Sequence, residues 1–187
     1  MDSRYIFTSM LRISDLDKKP FSVKKMDKIK WKTGDYVVGK IVSGSNSLKI
    51  ELINGRMRSF MKGDLVVGAL GERYATLEAT GTWKKVGQDG KLHILTAAGL
   101  FGKLTSKSVF MPNMIVVKYM GHAFRKGLKL TMEVFVKPIT RKKFITPTVL
   151  LVGTSMSSGK TISARIVTNL FKIAGLRVVG AKLTGAG

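Results

Sequence analysis

The chain contains no cysteine, which excludes disulfides and thiolate metal centres. No apolar run approaches the ~18 residues that a membrane-crossing helix needs. The first residues, MDSRYIFTSMLRISDLDKK, lack the apolar block of a secretory signal, and Asp2, Asp15 and Asp17 argue against a transit peptide. The expected location is therefore the cytoplasm, with no membrane partner. Acidic residues are scarce: 11 Asp and Glu stand against 33 Lys and Arg, a net charge of +22. None follows Glu133. Such a field attracts polyanions, nucleic acid among them, unless a partner or another part of the chain balances it. Both readings stay open. No zinc ligand set, RNP-like motif or paired carboxylates can be seen. His93 and His122 lie apart from any Ser, Asp or Glu pattern and are expected as ordinary strand histidines.

What is present suggests two parts. The length of 187 residues, 44% of them hydrophobic, suits one or two globular domains. Residues 1–30 read as a basic N-terminal arm, with Lys18–Lys32 a solvated arm or edge strand, since KKPFSVKKMDKIKWK is rich in lysines that do not share a helical face. Residues 31–137 read as an all-β barrel or sandwich. LKIELINGRMRSF alternates apolar and polar positions and turns at Asn54-Gly55, a strong hairpin signal because both turn positions need positive φ. Asp89-Gly90 predicts a second hairpin, and Arg125-Lys126-Gly127 joins two further strands. An echo also appears. WKTGDYVVGKI (Trp31–Ile41) and FMKGDLVVGAL (Phe60–Leu70) share an aromatic, Gly-Asp and Val-Val-Gly at an offset of 29 residues. Two copies suggest approximate internal two-fold symmetry.

Residues 138–147 read as a linker, a basic stretch bracketed by Pro138 and Pro147. After it the period changes. TVLLVG (Thr148–Gly153) has the continuous apolar character of a buried parallel strand. Ile162, Ile166, Leu170 and Ile173 follow at helical spacing, Gly175 sits where that helix would end, and LRVVGAK reads as a second strand. Between the first strand and the helix lies GTSMSSGKT: Gly153, Thr154, Ser155, Met156, Ser157, Ser158, Gly159, Lys160 and Thr161. Small residues let the backbone curl so that its amides face an anion. The helix that follows adds the positive end of its dipole. Lys160 can reach the β- and γ-phosphates of a nucleotide, and the Thr161 hydroxyl can ligate Mg²⁺.

The arrangement Gly-Thr-x-x-x-x-Gly-Lys-Thr resembles the dethiobiotin synthetase family of P-loop proteins. The resemblance covers about 40 residues, 148–187, and continues through the Ala174-Gly175 turn to Lys182 at the family's interval from Lys160. It implies the βαβ start of an α/β P-loop NTPase domain, ATP or GTP with Mg²⁺ as cofactors, and an ATP-dependent ligase or activating enzyme. Lys160 and Lys182 would then neutralise charge on the transferred phosphoryl group of an unidentified small-molecule substrate. Ser155 stands where the family usually has an acid, and Leu183 where it has proline. The wider group also includes cobyrinate amidation enzymes, molybdopterin-associated GTP-binding proteins and partition ATPases; the last carry an extra lysine where this chain has Ser155. The segment lacks the carboxylate that a Mg-nucleotide site requires. The expectation is an incomplete domain, inactive alone, with its metal and base ligands beyond Gly187 and a homodimer as one further partner. Two alternatives remain: a regulatory or assembly ATPase, and a nucleic-acid-binding β domain with attached NTPase. In the latter, Trp31, Tyr36, Phe60, Trp83, Phe101 and Phe110 would stack bases, against the expectation that they pack the core.

Overall fold

The computed structural model describes residues 4–75, 77–138, 143, 145–153 and 158–181. The chain divides into two units, residues 1–137 and 138–186. The first is built of short strands: β1 (Tyr5–Phe7), β2 (Ser22–Lys24), β3 (Tyr36–Ser43), β4 (Ile50–Glu51), β5 (Met57–Arg58), β6 (Leu65–Leu70), β7 (Glu72–Ala75), β8 (Ala79–Thr82), β9 (Lys91–Thr96), β10 (Leu100–Lys107), β11 (Val116–Arg125) and β12 (Leu128–Lys129). The pairing order β6-β3-β11-β9-β10 closes on itself, because β10 also pairs with β6 in parallel. The all-β unit is thus a closed ring of strands. β1 adds to β6, β2 and β12 add to β11, and the β7–β8 hairpin adds to β10.

The echo in the sequence is the centre of this ring. β3 and β6 pair antiparallel, Val37 against Gly68, Val38 against Val67 and Gly39 against Val66, so the two copies meet about a local two-fold axis. Their Gly-Asp turns obey the same symmetry. Asp35 Oδ2 accepts the Lys32 amide at 2.8 Å, and Asp64 Oδ2 accepts the Met61 amide at 2.9 Å. The Gly34 amide donates to the Leu70 carbonyl at 2.8 Å, and the Gly63 amide to the Ile41 carbonyl at 2.9 Å. Each turn therefore clasps the end of the other copy's strand. Gly34 and Gly63 adopt φ of +85° and +98°, a region costly for a residue with a side chain.

Both faces of β3 and β6 are buried. Val37, Ile41, Val66 and Leu70 join Leu92, Ile94, Phe101 and Val117 inside the ring. Tyr36, Val38, Val67 and Ala69 face a second cluster with Phe7, Leu11 and Leu16. This corrects the expectation of an N-terminal arm, while the edge-strand alternative for Lys18–Lys32 agrees with β2, which pairs with β11. Phe7, Leu11 and Leu16 are buried on the outer face of β3 and β6, and β1 and β2 are sheet strands. The apolar residues of the first sixteen positions decide the matter, and the lysines that follow are solvated. Two hairpin expectations agree with the structure: Gly55 turns β4 into β5, and Lys126-Gly127 turns β11 into β12. A third is corrected. Asp89-Gly90 opens β9, but β9 has its edges on β10 and β11, while β8 pairs with β7 and β10.

In the second unit, α1 runs Lys160–Ile173. Gly175, at φ +80°, ends it: its amide bonds the Lys172 carbonyl and the Leu176 amide bonds the Phe171 carbonyl, both at 3.0 Å. The two flanking strands of the expected βαβ unit are not formed among the described residues. Residues 148–153 and 176–181 have no strand structure, and Leu150, Val152 and Val179 are exposed. An apolar run becomes a buried parallel strand only when neighbouring strands and helices cover it, and roughly forty residues cannot supply that cover.

Candidate functional site

Of the loop residues expected to hold phosphate, Gly153, Ser158, Gly159, Lys160 and Thr161 are described. Thr154, Ser155, Met156 and Ser157 lie outside the described residues, as does Lys182, so its relation to Lys160 is not defined. The described part doubles back on itself. A Cβ at position 153 would lie 2.3 Å from Ser158 Oγ and 2.9 Å from Cγ and Cδ of Lys160, so a side chain there would displace both of these side chains. Gly159 turns the chain into α1 with φ +81°, and Lys160 Nζ donates to Ser158 Oγ at 2.9 Å. The first amide of the helix to find a main-chain acceptor is that of Ser163, on Gly159. The positive end of the helix dipole lies at this turn, as at any helix start. No acidic residue lies in that turn to compete, and the Thr161 side chain is exposed. Among the described residues no group of three or more His, Asp or Glu gathers as a metal site.

A second polar cluster, missed by sequence reasoning, lies in the β unit. Asp35 and His122 are both fully buried, 3.1 Å apart from Oδ2 to Nε2. Lys129 Nζ reaches the same oxygen at 2.7 Å and also the Lys30 carbonyl at 3.1 Å. The Tyr119 hydroxyl lies 2.5 Å from His122 Nδ1 and accepts the Met26 amide at 3.2 Å. With a proton on Nε2, His122 donates to Asp35, and its Nδ1 faces the Tyr119 hydroxyl. Burial alone would raise the Asp35 carboxyl, but the bonds from His122, Lys129 and the Lys32 amide outweigh it and hold its pKa below the ordinary value. Burial pushes the Tyr119 hydroxyl up to about 12. A tyrosine so placed is no base near neutrality; the cluster ties β3, β11, β12 and residues 26–32 together. The one usable signal was Gly34-Asp35 itself, read as a turn. The partners are 87 and 94 residues away, and no local pattern reveals them. His93 is an ordinary strand histidine by comparison: its Nδ1 accepts the Leu104 amide at 3.2 Å, and burial lowers its pKa.

The aromatic residues that an oligonucleotide would need lie mostly in the core. Trp31, Tyr36 and Phe101 are buried, Phe60 and Trp83 pack partly buried against the interior cluster, and Phe110 is exposed. No helix of the described residues is long and apolar enough to cross a membrane. No protein-family model matches the chain, and neither a curated protein nor a solved structure is found similar to it.

Proposed function

We propose that residues 153–161 bind the phosphates of a nucleotide, ATP or GTP with Mg²⁺, and that the chain belongs to the P-loop class of proteins. The observation that carries this reading is the fold-back of Gly153 onto Ser158 and Lys160 at the start of α1. It brings Gly153, Ser158 and Lys160 together at the start of a helix, and a glycine, a lysine and a helix dipole are what a phosphate site uses, which supports the reading. The Lys160 ammonium neutralises phosphate charge, and the Thr161 hydroxyl is the group this segment offers to Mg²⁺. A bound nucleotide would supply an activating phosphoryl group. The finer reading is an ATP-dependent ligase or activating enzyme in which Lys182 assists Lys160 and the β unit receives a substrate or partner. Burial of Trp31, Tyr36 and Phe101 weighs against the nucleic-acid alternative. Titration calorimetry with ATP and Mg²⁺ tests the proposal. Binding is expected to be weak, without efficient hydrolysis, and to vanish in Lys160→Ala. Unchanged binding in that variant removes the reading.

A further inference from the structure

The β unit carries a shallow, open cavity of about 430 Å³ at its surface, lined by Lys25, Met26, Asp27, Lys30 and Tyr119, with Lys25, Asp27 and Lys30 exposed. That is the size of an ordinary small-molecule site. Its rim is a strap, residues 25–31, fixed from several sides. The Met26 amide donates to the Tyr119 hydroxyl, and Trp31 Nε1 donates to the Met26 carbonyl at 3.0 Å. Lys28 Nζ reaches the carbonyls of Lys84 and Val86 at 2.6 and 2.5 Å, and Lys129 Nζ reaches that of Lys30. Behind it the Trp31 ring packs 4.5 Å from the ring of Tyr119. The strap and the aromatic wall are therefore set before any ligand arrives, which lowers the ordering cost of binding.

The lysines of this strap divide into two kinds. Lys28 is consumed by carbonyls. Lys25 and Lys30 line the cavity, and among the described residues neither has an ion-pair partner. These two lysines share a lining with Met26 and Tyr119 and so offer positive charge next to an apolar surface. The Tyr119 hydroxyl is already occupied by His122 and Met26, so this residue contributes its ring. Asp27, the single acid on the rim, opposes a bare polyanion and favours a ligand that also carries a hydroxyl or amine.

We propose that this cavity is a binding site for a small organic phosphate monoester, its phosphate between Lys25 and Lys30 and its body against Met26 and Tyr119. The site uses none of the residues of the 153–161 loop. It is tested in the full chain carrying Lys160→Ala, so that the loop contributes nothing. Calorimetry at physiological salt, where long-range attraction is screened, uses phenyl phosphate as probe. Saturable binding is expected. Lys25→Gln and Lys30→Gln should each weaken it about tenfold, as befits loss of one charge-assisted hydrogen bond, and Asp27→Asn should tighten it. The double variant Lys25→Gln/Lys30→Gln should lose binding, whereas Lys49→Gln/Lys62→Gln removes the same charge elsewhere and should bind as before; thermal melts check that all variants stay folded. The proposal is overturned by absence of saturable binding, by equal loss in the two lysine pairs, or by phenol binding as tightly as its phosphate.

Discussion

Asp35 joins the turn before β3 to β11 through His122 and to β12 through Lys129. One carboxylate oxygen receives a turn amide, a lysine and a histidine, while the other has no hydrogen-bond partner. Removing one member of such a buried group leaves the rest uncompensated, at a cost of about 3–5 kcal/mol. Asp35→Ala should lose that much in chemical denaturation, and Asp35→Asn less, since the amide can still accept. The acid limb carries a second signature. The folded pKa is depressed, so the stabilisation is complete above the ordinary aspartate value of about 3.9 and is lost as pH falls through the lower folded value. In Asp35→Asn the stability at neutral pH should drop, and its decline in acid, followed by circular dichroism, should become shallower. Only half of this site was legible in the sequence. Gly34-Asp35 announces a turn because glycine and a short acceptor are what a turn needs; His122 and Lys129 carry no such mark, since their role depends on tertiary placement alone.

Among the elements, β3 and β6 were the most legible, because the sequence states them twice and both faces are apolar. Their glycines serve a purpose beyond the turn. A Cβ on Gly68 would lie 2.3 Å from the Gly99 carbonyl and 2.7 Å from the Phe101 ring; one on Gly39 would lie 2.8 Å from Val117 and 3.3 Å from the same ring. The symmetric pair makes the seat for Phe101 at the centre of the ring. Gly68→Ala should therefore destabilise by about 1–3 kcal/mol, the cost of overpacking a closed core, read as a lower midpoint in urea. β1 was missed because three residues of strand are too short for a period to show. The runs at 148–153 and 176–181 have the composition of strands, yet pattern states only a preference. A backbone edge becomes a strand when another edge meets it.

At the scale of the molecule, the first unit carries its own core and all eleven acidic residues, whereas the second presents an apolar stripe of Ile162, Ile166, Leu170 and Ile173 that is exposed. A chain ending at Lys137 should give a β-type circular dichroism spectrum and a cooperative thermal transition. A chain running only from Trp31 to Lys137 should not, for it lacks Ile6, Phe7, Leu11 and Leu16, all buried. A cooperative melt of that shorter chain would show that the outer face of β3 and β6 tolerates exposure.

The reciprocal clasp of the two Gly-Asp turns imposes an order on synthesis. Gly34 closes onto Leu70 and Gly63 onto Ile41, so the pair of turns cannot both be fastened until residue 70 has been made. Translation proceeds at about 5–20 residues per second, and the nascent β3 waits one to several seconds for its mate with two apolar faces bare. The lysines of the 18–32 segment, just upstream, put like charge beside that strand, and like charge opposes the association of neighbouring chains.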